Sequence, residues 1–414
     1  MDSYREFVNE AERYHKTLPY ETVDLYKKYS VDIQLLSGER EFRQLSRPAV
    51  ESAAFVAETE SKMHMRFDVV VSDGMARCAS PHARILEGDR AAGIVSSKIF
   101  RSSEDKIAAF LNAKSRYYVV IDVPSGEKAA VNMLFASTGH LPVQVIINLA
   151  RNSALNVSEY YASNTEEDPS LMAVLHEINA QEGSRAQVSM LHNENGKTDV
   201  ASIYKALAAQ DAHVELNSVY CGGRYTKARG TLDASGPMSR MEATELVLGS
   251  EDQAFDINTV INNVKPMSYT DLRSGAVLDG ASRCMLKGFA KVENKARGAS
   301  SRITERGILL SPDAHIDALP DMAIDYSNEV RATHSASTSP IDTDALFYMT
   351  SRGLDEAKAR QLFVAAFIAK YIARMESPAM REVAMSVLLD KLETGRFGTL
   401  NEVTPRNIWI TGKT

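Results

Sequence analysis

A degenerate internal repeat constrains the fold of this chain more than any other feature. Four alternating runs lie in the middle of the sequence: Ala186-Gln187-Val188-Ser189-Met190, Ala212-His213-Val214-Glu215-Leu216, Ser239-Arg240-Met241-Glu242-Ala243 and Ser268-Tyr269-Thr270-Asp271-Leu272. Their aligned residues Val188, Val214, Met241 and Tyr269 are 26, 27 and 28 positions apart. A second strand-like run falls between each pair, at 201–207, 224–232 and 255–260. Two short strands in about 27 residues suit one turn of a β-solenoid. A single turn has one inward row of side chains and cannot bury it alone. Stacked turns share a continuous core and pair each backbone edge with the next turn, except at the two ends. The alternative is a β-sandwich or several antiparallel sheets, which also show strands at intervals of about 8–12 residues.

Both flanks of the repeat read as helix. Tyr4, Phe7, Val8, Ala11 and Tyr14 form one apolar stripe, broken at Leu18-Pro19, and a second helix is expected through Val23, Leu25 and Tyr26. A two-residue period is expected from His64 to Val71, ending at the Asp73-Gly74 turn, and a short helix from Glu104 to Lys114. Strand-like runs follow at 117–123, 130–135, 143–149 and 155–161. Near the end, Asp342 is a good N-cap for a helix 343–352 with Gly353 as its stop, Asp355 caps a longer one, and Ser377-Pro378 opens a third. In the long helix Ala359, Leu362, Phe363, Ala366, Phe367, Lys370 and Tyr371 share one face; in the third, Met380, Val383, Ala384, Val387, Leu388 and Leu392 recur at helical spacing. The expected architecture is therefore mainly β: an N-terminal helical region (1–60), a parallel β-helix core (61–338) and a C-terminal helical domain (339–414).

Composition narrows the function. The chain has 414 residues, 44% of them hydrophobic and 24% charged, with 47 Lys+Arg against 54 Asp+Glu for a net charge of −7. The absence of a basic stripe argues against a nucleic-acid partner. No apolar run approaches the ~20 residues needed to span a bilayer, and the charged N-terminus does not read as a secretory signal. Three scattered cysteines, Cys78, Cys221 and Cys284, suit a reducing, cytoplasmic setting rather than a disulfide framework. The sequence contains no CxxC, HExxH or GxSxG. Gly196-Lys197-Thr198 imitates the end of a phosphate-binding loop, but Leu191 stands where its first glycine is required, so a polar turn is the expectation and the chain is not read as an ATPase. Asn156-Val157-Ser158 is read as a chance glycosylation match.

Three segments then become specific: Ile308-Leu309-Leu310-Ser311 followed by Asp313-Ala314 and Asp317 to Pro320; Val330-Arg331-Ala332-Thr333-His334-Ser335-Ala336-Ser337; and Asp344-Ala345-Leu346-Phe347-Tyr348 running into Ser351-Arg352-Gly353-Leu354. This stretch resembles the SufB/SufD family, the scaffold subunits of the SUF iron–sulfur cluster assembly machinery. The resemblance implies a right-handed parallel β-helix with helical caps and a chain that is not itself an enzyme. It also implies a SufC-like ABC ATPase docked at about Asp342 to Met375. A second SufB/SufD-type scaffold chain, identical or distinct, would pair near His334, and a transient iron–sulfur cluster would be the cargo. SufB-type chains carry a Cys where this chain has Glu305 and a Glu where it has Ser335; His334 matches the His of SufD-type chains, so the site is the more SufD-like.

Iron–sulfur clusters favour thiolate, with imidazole and carboxylate as weaker ligands. The candidate metal and cluster residues are therefore His334, Glu305 and Cys221. The ordinary reading of each stays open: an interface histidine just after a strand, a solvated carboxylate in the run Arg302 to Arg306, and a buried strand cysteine. Cys221 is the most ligand-like thiol because Gly222-Gly223 allow close approach; Cys78 and Cys284 are expected in the core. An enzymatic alternative is a β-helix polysaccharide lyase or hydrolase. A structural alternative is an ATPase-docking subunit with no metal role.

Overall fold

The computed structural model describes residues 2–21, 31–43, 49–95, 99–166, 169–325 and 330–395. Its centre is a parallel β-solenoid of about eight turns, each giving one strand to each of two sheets. The first sheet runs in the order Ala76–Cys78, Val69–Ser72, Lys128–Ser137, Ala154–Ser163, Arg185–Asn193, His213–Tyr220, Arg240–Gly249, Tyr269–Leu278, Ser300–Leu309 and Arg331–Pro340. The second runs Ala83–Glu87, Tyr117–Val123, Leu141–Leu149, Ser170–Ala180, Thr198–Ala208, Tyr225–Ala234, Ala254–Asn263, Arg283–Val292 and His315–Ala318, with Asp321–Ile324 also beside Arg283–Val292. Among the described residues only the pairs at the start are antiparallel, Val69–Ser72 with Ala76–Cys78 and Ala83–Glu87 with Tyr117–Val123.

In-register parallel stacking puts equivalent residues of successive turns on one face. Val131, Val157, Val188, Leu216, Ala243, Leu272 and Ile303 form one inward row that fills the interior. The register corrects the sequence alignment in two places. Val188 opposes Leu216 rather than Val214, a slip of two that keeps the same face; Met241 opposes Thr270 rather than Tyr269, a slip of one that would have turned the strand over. The expected strand from His64 starts only at Val69, because the preceding helix, Ala49–Met63, runs to its edge and stops where His64 takes a left-handed φ of 51°. The segment through Val23, Leu25 and Tyr26 lies outside the described residues.

Both sheets are covered on the outside. Helix Lys106–Lys114, capped by Asp105, packs Ile107 and Phe110 with Leu35 and Leu36 against Leu171, Leu175 and Ile203 of the second sheet. The helices Thr343–Ser351, Glu356–Ile372 and Pro378–Thr394, capped by Asp342, Asp355 and Ser377 as their sequences require, cover Leu191, Val219, Leu246 and Val277 of the first. Gly275 permits the contact: a Cβ there would lie 2.3 Å from Cζ of Tyr371. Among the described residues no helix is long and apolar enough to cross a membrane.

Arg374 pins the C-terminal helices to the sheet. Its guanidinium meets Glu215 at 3.1 Å and Glu242 at 2.5 Å, and its carbonyl accepts from Gln187 at 3.0 Å. With His213 3.2 Å away and Arg374 on its other oxygen, Glu242 is drawn down from 4.5 to about 2. A carboxyl lowered on folding contributes stability that is complete above its unfolded pKa and is lost as pH falls through its folded one. Wild-type protein should therefore lose about 2–3 kcal/mol through this group between pH 5 and pH 2. Urea unfolding across that range should show a shallower loss for Glu242→Gln; identical profiles would remove Glu242 as the anchor.

Candidate functional site

The open end of the solenoid is the place to look for a site. Strand Arg331–Pro340 is the last of the first sheet, so one edge pairs with Ser300–Leu309 and the other carries no strand among the described residues. Nine of its ten residues are exposed and Ala332 is half-buried, in contrast with the buried strands before it. His334 lies within this strand rather than after one. It pairs in register with Ile303, so it continues the inward row at a level with no further turn to cover it, and its imidazole is exposed.

Glu305 lies one strand below and is not a solvated carboxylate. Its side chain is fully buried. The second sheet explains why. Opposite Arg283–Val292 the last turn is split into His315–Ala318 and Asp321–Ile324, with Leu319-Pro320 interrupting the pairing; proline has no N–H for the ladder. Glu305 Oε1 reaches across the interior and accepts the Gly288 N–H at 2.7 Å, and the Leu319 backbone also stands close to the carboxyl. A Cβ at 288 would sit 3.0 Å from that oxygen, so the glycine makes room. Burial pushes the Glu305 carboxyl up to about 8.

Cys221 belongs to a different place. It follows strand His213–Tyr220, three turns and about 14 Å from the level of Glu305. Its thiol packs with Val219 and Leu248 beneath the C-terminal helices and donates to the His192 carbonyl at 3.1 Å. Burial pushes it up to about 12, against the pull of nearby Lys391. The Lys391 ammonium donates to the Cys221 carbonyl and to Gln253 Oε1, each at 2.6 Å. The neighbouring glycines serve the backbone rather than a ligand: Gly223 has a φ of +74°, and a Cβ at 222 would lie 2.0 Å from the Glu194 nitrogen. Cys284 is buried in the core as expected, its thiol raised by burial, but Cys78 is exposed on the short edge strand Ala76–Cys78. A strand that ends its sheet leaves even an apolar side chain largely uncovered. The structure thus brings His334 and Glu305 onto adjacent strands and leaves Cys221 apart. Among the described residues no three His, Cys, Asp or Glu side chains gather as a preformed metal site.

A second surface lies on the C-terminal helices. Leu362 and the aromatics Phe347 and Tyr348 are 44%, 74% and 60% exposed. Ala366 and Lys370 are exposed beside Leu362, and Phe363 and Phe367 are half-buried. Of the apolar face that runs from Ala359 to Tyr371, only the two ends are therefore buried. Ala359, Val364, Ala365, Ile368, Tyr371 and Ile372 take the buried side. The helix is apolar on two sides, and the sheet covers only one of them.

Sequence reasoning passed over the polar groups inside the solenoid. His176 Nε2 bonds Glu159 Oε2 at 2.8 Å, and Tyr204 Oη donates to Glu245 Oε1 at 2.9 Å. All four side chains are buried. Their signal is a polar residue at an inward position of an otherwise apolar alternation, and it becomes visible only once the register is known.

Comparison with known proteins agrees with this picture. Residues 135–367 match the family described as SUF system FeS cluster assembly, SufBD core domain. The iron–sulfur cluster assembly protein SufD of Escherichia coli is 21% identical over 249 residues, covering 60% of this chain and 58% of the relative. SufD of Bacillus subtilis is 24% identical over 251 residues, covering 60% and 57%. A SufBD family protein of Mycobacterium leprae is 24% identical over 202 residues, covering 46% and 50%. The chain spans between half and three-fifths of the length of these curated relatives. Since the matched segment takes in more than half of the sequence and lies within the solenoid and the helices docked on it, the chain belongs to the SufBD core family of the SUF iron–sulfur cluster assembly system.

Proposed function

We propose that this protein is a non-catalytic scaffold subunit on which an iron–sulfur cluster is assembled as cargo, at an interface between two scaffold chains. The observation that carries this reading is the strand Arg331–Pro340, whose outer backbone edge meets no other strand among the described residues, with the exposed His334. An unpaired edge accepts another strand through its backbone groups. A second SufB/SufD-type chain docked there would bring its own ligands to His334. Such an arrangement needs no complete ligand set in either chain, and it suits a site that must release what it holds. Glu305 stands one turn beneath, where it would reach a metal ion only by leaving Gly288. Cys221, protonated and covered, would need the helical domain to move before it could accept sulfur.

The second partner we assign is a SufC-like ABC ATPase, seated on the exposed aromatics Phe347 and Tyr348 and on Leu362, within the segment Asp342 to Met375. Its cycle would open and close the scaffold interface. Anaerobic co-purification with that ATPase and a SufB-type chain, then reconstitution with ferrous iron and sulfide, tests the reading: a visible charge-transfer band is expected. His334→Ala should lower the cluster yield about tenfold or more without weakening the complex, since even losing a group that only orients a metal ligand costs on the order of 10-fold in metal affinity. Undiminished yield would remove His334 from the site. One observation favours a second reading, a docking subunit that never touches metal: no ready-made ligand group exists among the described residues. A stable ternary complex without the absorption band would establish it.

A further inference from the structure

The solenoid interior is apolar over most of its length, yet a column of hydrogen-bonding side chains runs along its axis. The inward row next to the valine row reads Met133, Glu159, Met190, Ser218, Glu245, Ser274 and Glu305. Facing it on the second sheet stand Val119, Val145, His176, Tyr204, Gly230, Thr259 and Gly288. Two clusters close across the interior. In one, Tyr161 donates to Glu159, which also bonds His176; the Tyr161 ring stacks on His192 at 4.1 Å, and His192 Nδ1 lies 2.8 Å from Glu194 Oε1. In the other, Glu245 accepts from Tyr204 at 2.9 Å, from Thr259 at 2.5 Å and from Ser274 at 2.7 Å. The second cluster is fully paired at the Glu245 carboxyl; the first is not.

Five buried atoms without a protein partner lie in and around the gap between the two clusters. Glu159 Oε1, His176 Nδ1 and His192 Nε2 are unpartnered on the side of the first cluster. Ser202 Oγ and Tyr220 Oη lie in the gap itself with no hydrogen bond of good geometry: Tyr220 stacks on His192 at 5.0 Å, and its hydroxyl makes only weak contact with those of Ser202 and Ser218. All five side chains are buried. Each buried polar group left unpaired costs about 1–3 kcal/mol, and five together would approach the whole stability of an ordinary domain. Native interiors meet this demand with ordered water, each molecule typically serving about three polar atoms.

We propose that the axis of the solenoid is a water-binding site. A short file of ordered water molecules would occupy the space between Glu159 and Tyr204, bonded to Glu159 Oε1, His192 Nε2, Ser202 Oγ and Tyr220 Oη, and would join the two clusters into one hydrogen-bonded column. This assignment does not depend on the metal role given to the open end. It explains why a histidine stacked between two tyrosines is kept in a core that valine or leucine would fill more simply.

Two measurements on the full chain test it. Diffraction data to about 1.5 Å should place solvent density within hydrogen-bond distance of at least three of these four atoms; density that instead shows their side chains bonded to one another would overturn the proposal. Magnetic relaxation dispersion of water oxygen-17 counts long-lived internal water in solution. The double variant Ser202→Ala, Tyr220→Phe removes two hydroxyls and little volume, so it should fold and should lose part of the long-lived signal. A folded double variant with an unchanged dispersion amplitude would also overturn it. If that variant does not fold, Ser202→Ala alone serves with the same two outcomes.

Discussion

Phe347→Asp is expected to abolish high-affinity binding of a SufC-like ATPase. Phe347 is 74% exposed and sits beside Tyr348 and within the same helical domain as the exposed Leu362. Burial of such an aromatic at the centre of an interface is worth about 2–4 kcal/mol, or a roughly 30- to 1,000-fold change in affinity, and a charge at that point adds a desolvation cost. The same change should leave the isolated protein within about 0.5 kcal/mol of wild type, as surface substitutions usually do. Titration of labelled ATPase into wild-type and variant chains, with thermal unfolding as the control, reads both effects. Equal affinities would mean that the ATPase seats elsewhere and that the two-sided helix Glu356–Ile372 has some other cover.

Gly222→Ala should be among the most damaging single changes available. The added methyl would meet Glu194 N at 2.0 Å and Asn193 C at 2.5 Å. Those are backbone atoms of the adjacent turn, where the Gly222 and Gly223 amides donate to the His192 and Glu194 carbonyls. Backbone cannot rotate away as a side chain can, so the turns must separate. Loss of more than about 4 kcal/mol is expected, the range reserved for structural collisions and buried mispairing. Gly126→Ala is a useful comparison: its φ of +75° also disfavours alanine, but nothing lies within 4 Å of the added Cβ. It should therefore cost only about 1 kcal/mol. Urea unfolding of both variants separates collision from backbone conformation; comparable losses would show that turn spacing is more yielding than these distances allow.

The features legible in the sequence were those set by local chemistry. Asp342, Asp355 and Ser377-Pro378 begin the three C-terminal helices because a side-chain oxygen must satisfy amides that the helix cannot. Both strand runs of each repeat were visible because alternation survives in most turns. The register was harder to see, because Ser218, Glu245 and Glu305 occupy inward positions where a hydrophobic pattern expects apolar residues. Glu305 was misplaced for the same reason: flanked by Arg302 and Arg306, it reads as one more surface charge. Only the interruption at Leu319-Pro320, remote in sequence, gives it a buried amide to accept. Cys221 and its glycines carry a pattern that suits either ligand access or tight backbone contact, and only three-dimensional packing distinguishes the two. The helix face at Leu362 and Phe367 was recognisable as apolar, but amphipathicity does not name the partner that covers it.

The two ends of the solenoid are finished differently, and this bears on how many copies could join. At the first, short antiparallel strands turn the sheets back on themselves, a common way of blunting an adhesive border. At the other, a ten-residue strand has no further strand beside it among the described residues. A particle with one adhesive pole can find a mate but cannot polymerise: once two such poles meet about a twofold axis, nothing remains for a third molecule to grip. If that bare pole is the interface, growth into fibres, the usual hazard of stacked β-structure, would be closed off by the asymmetry of the rod itself.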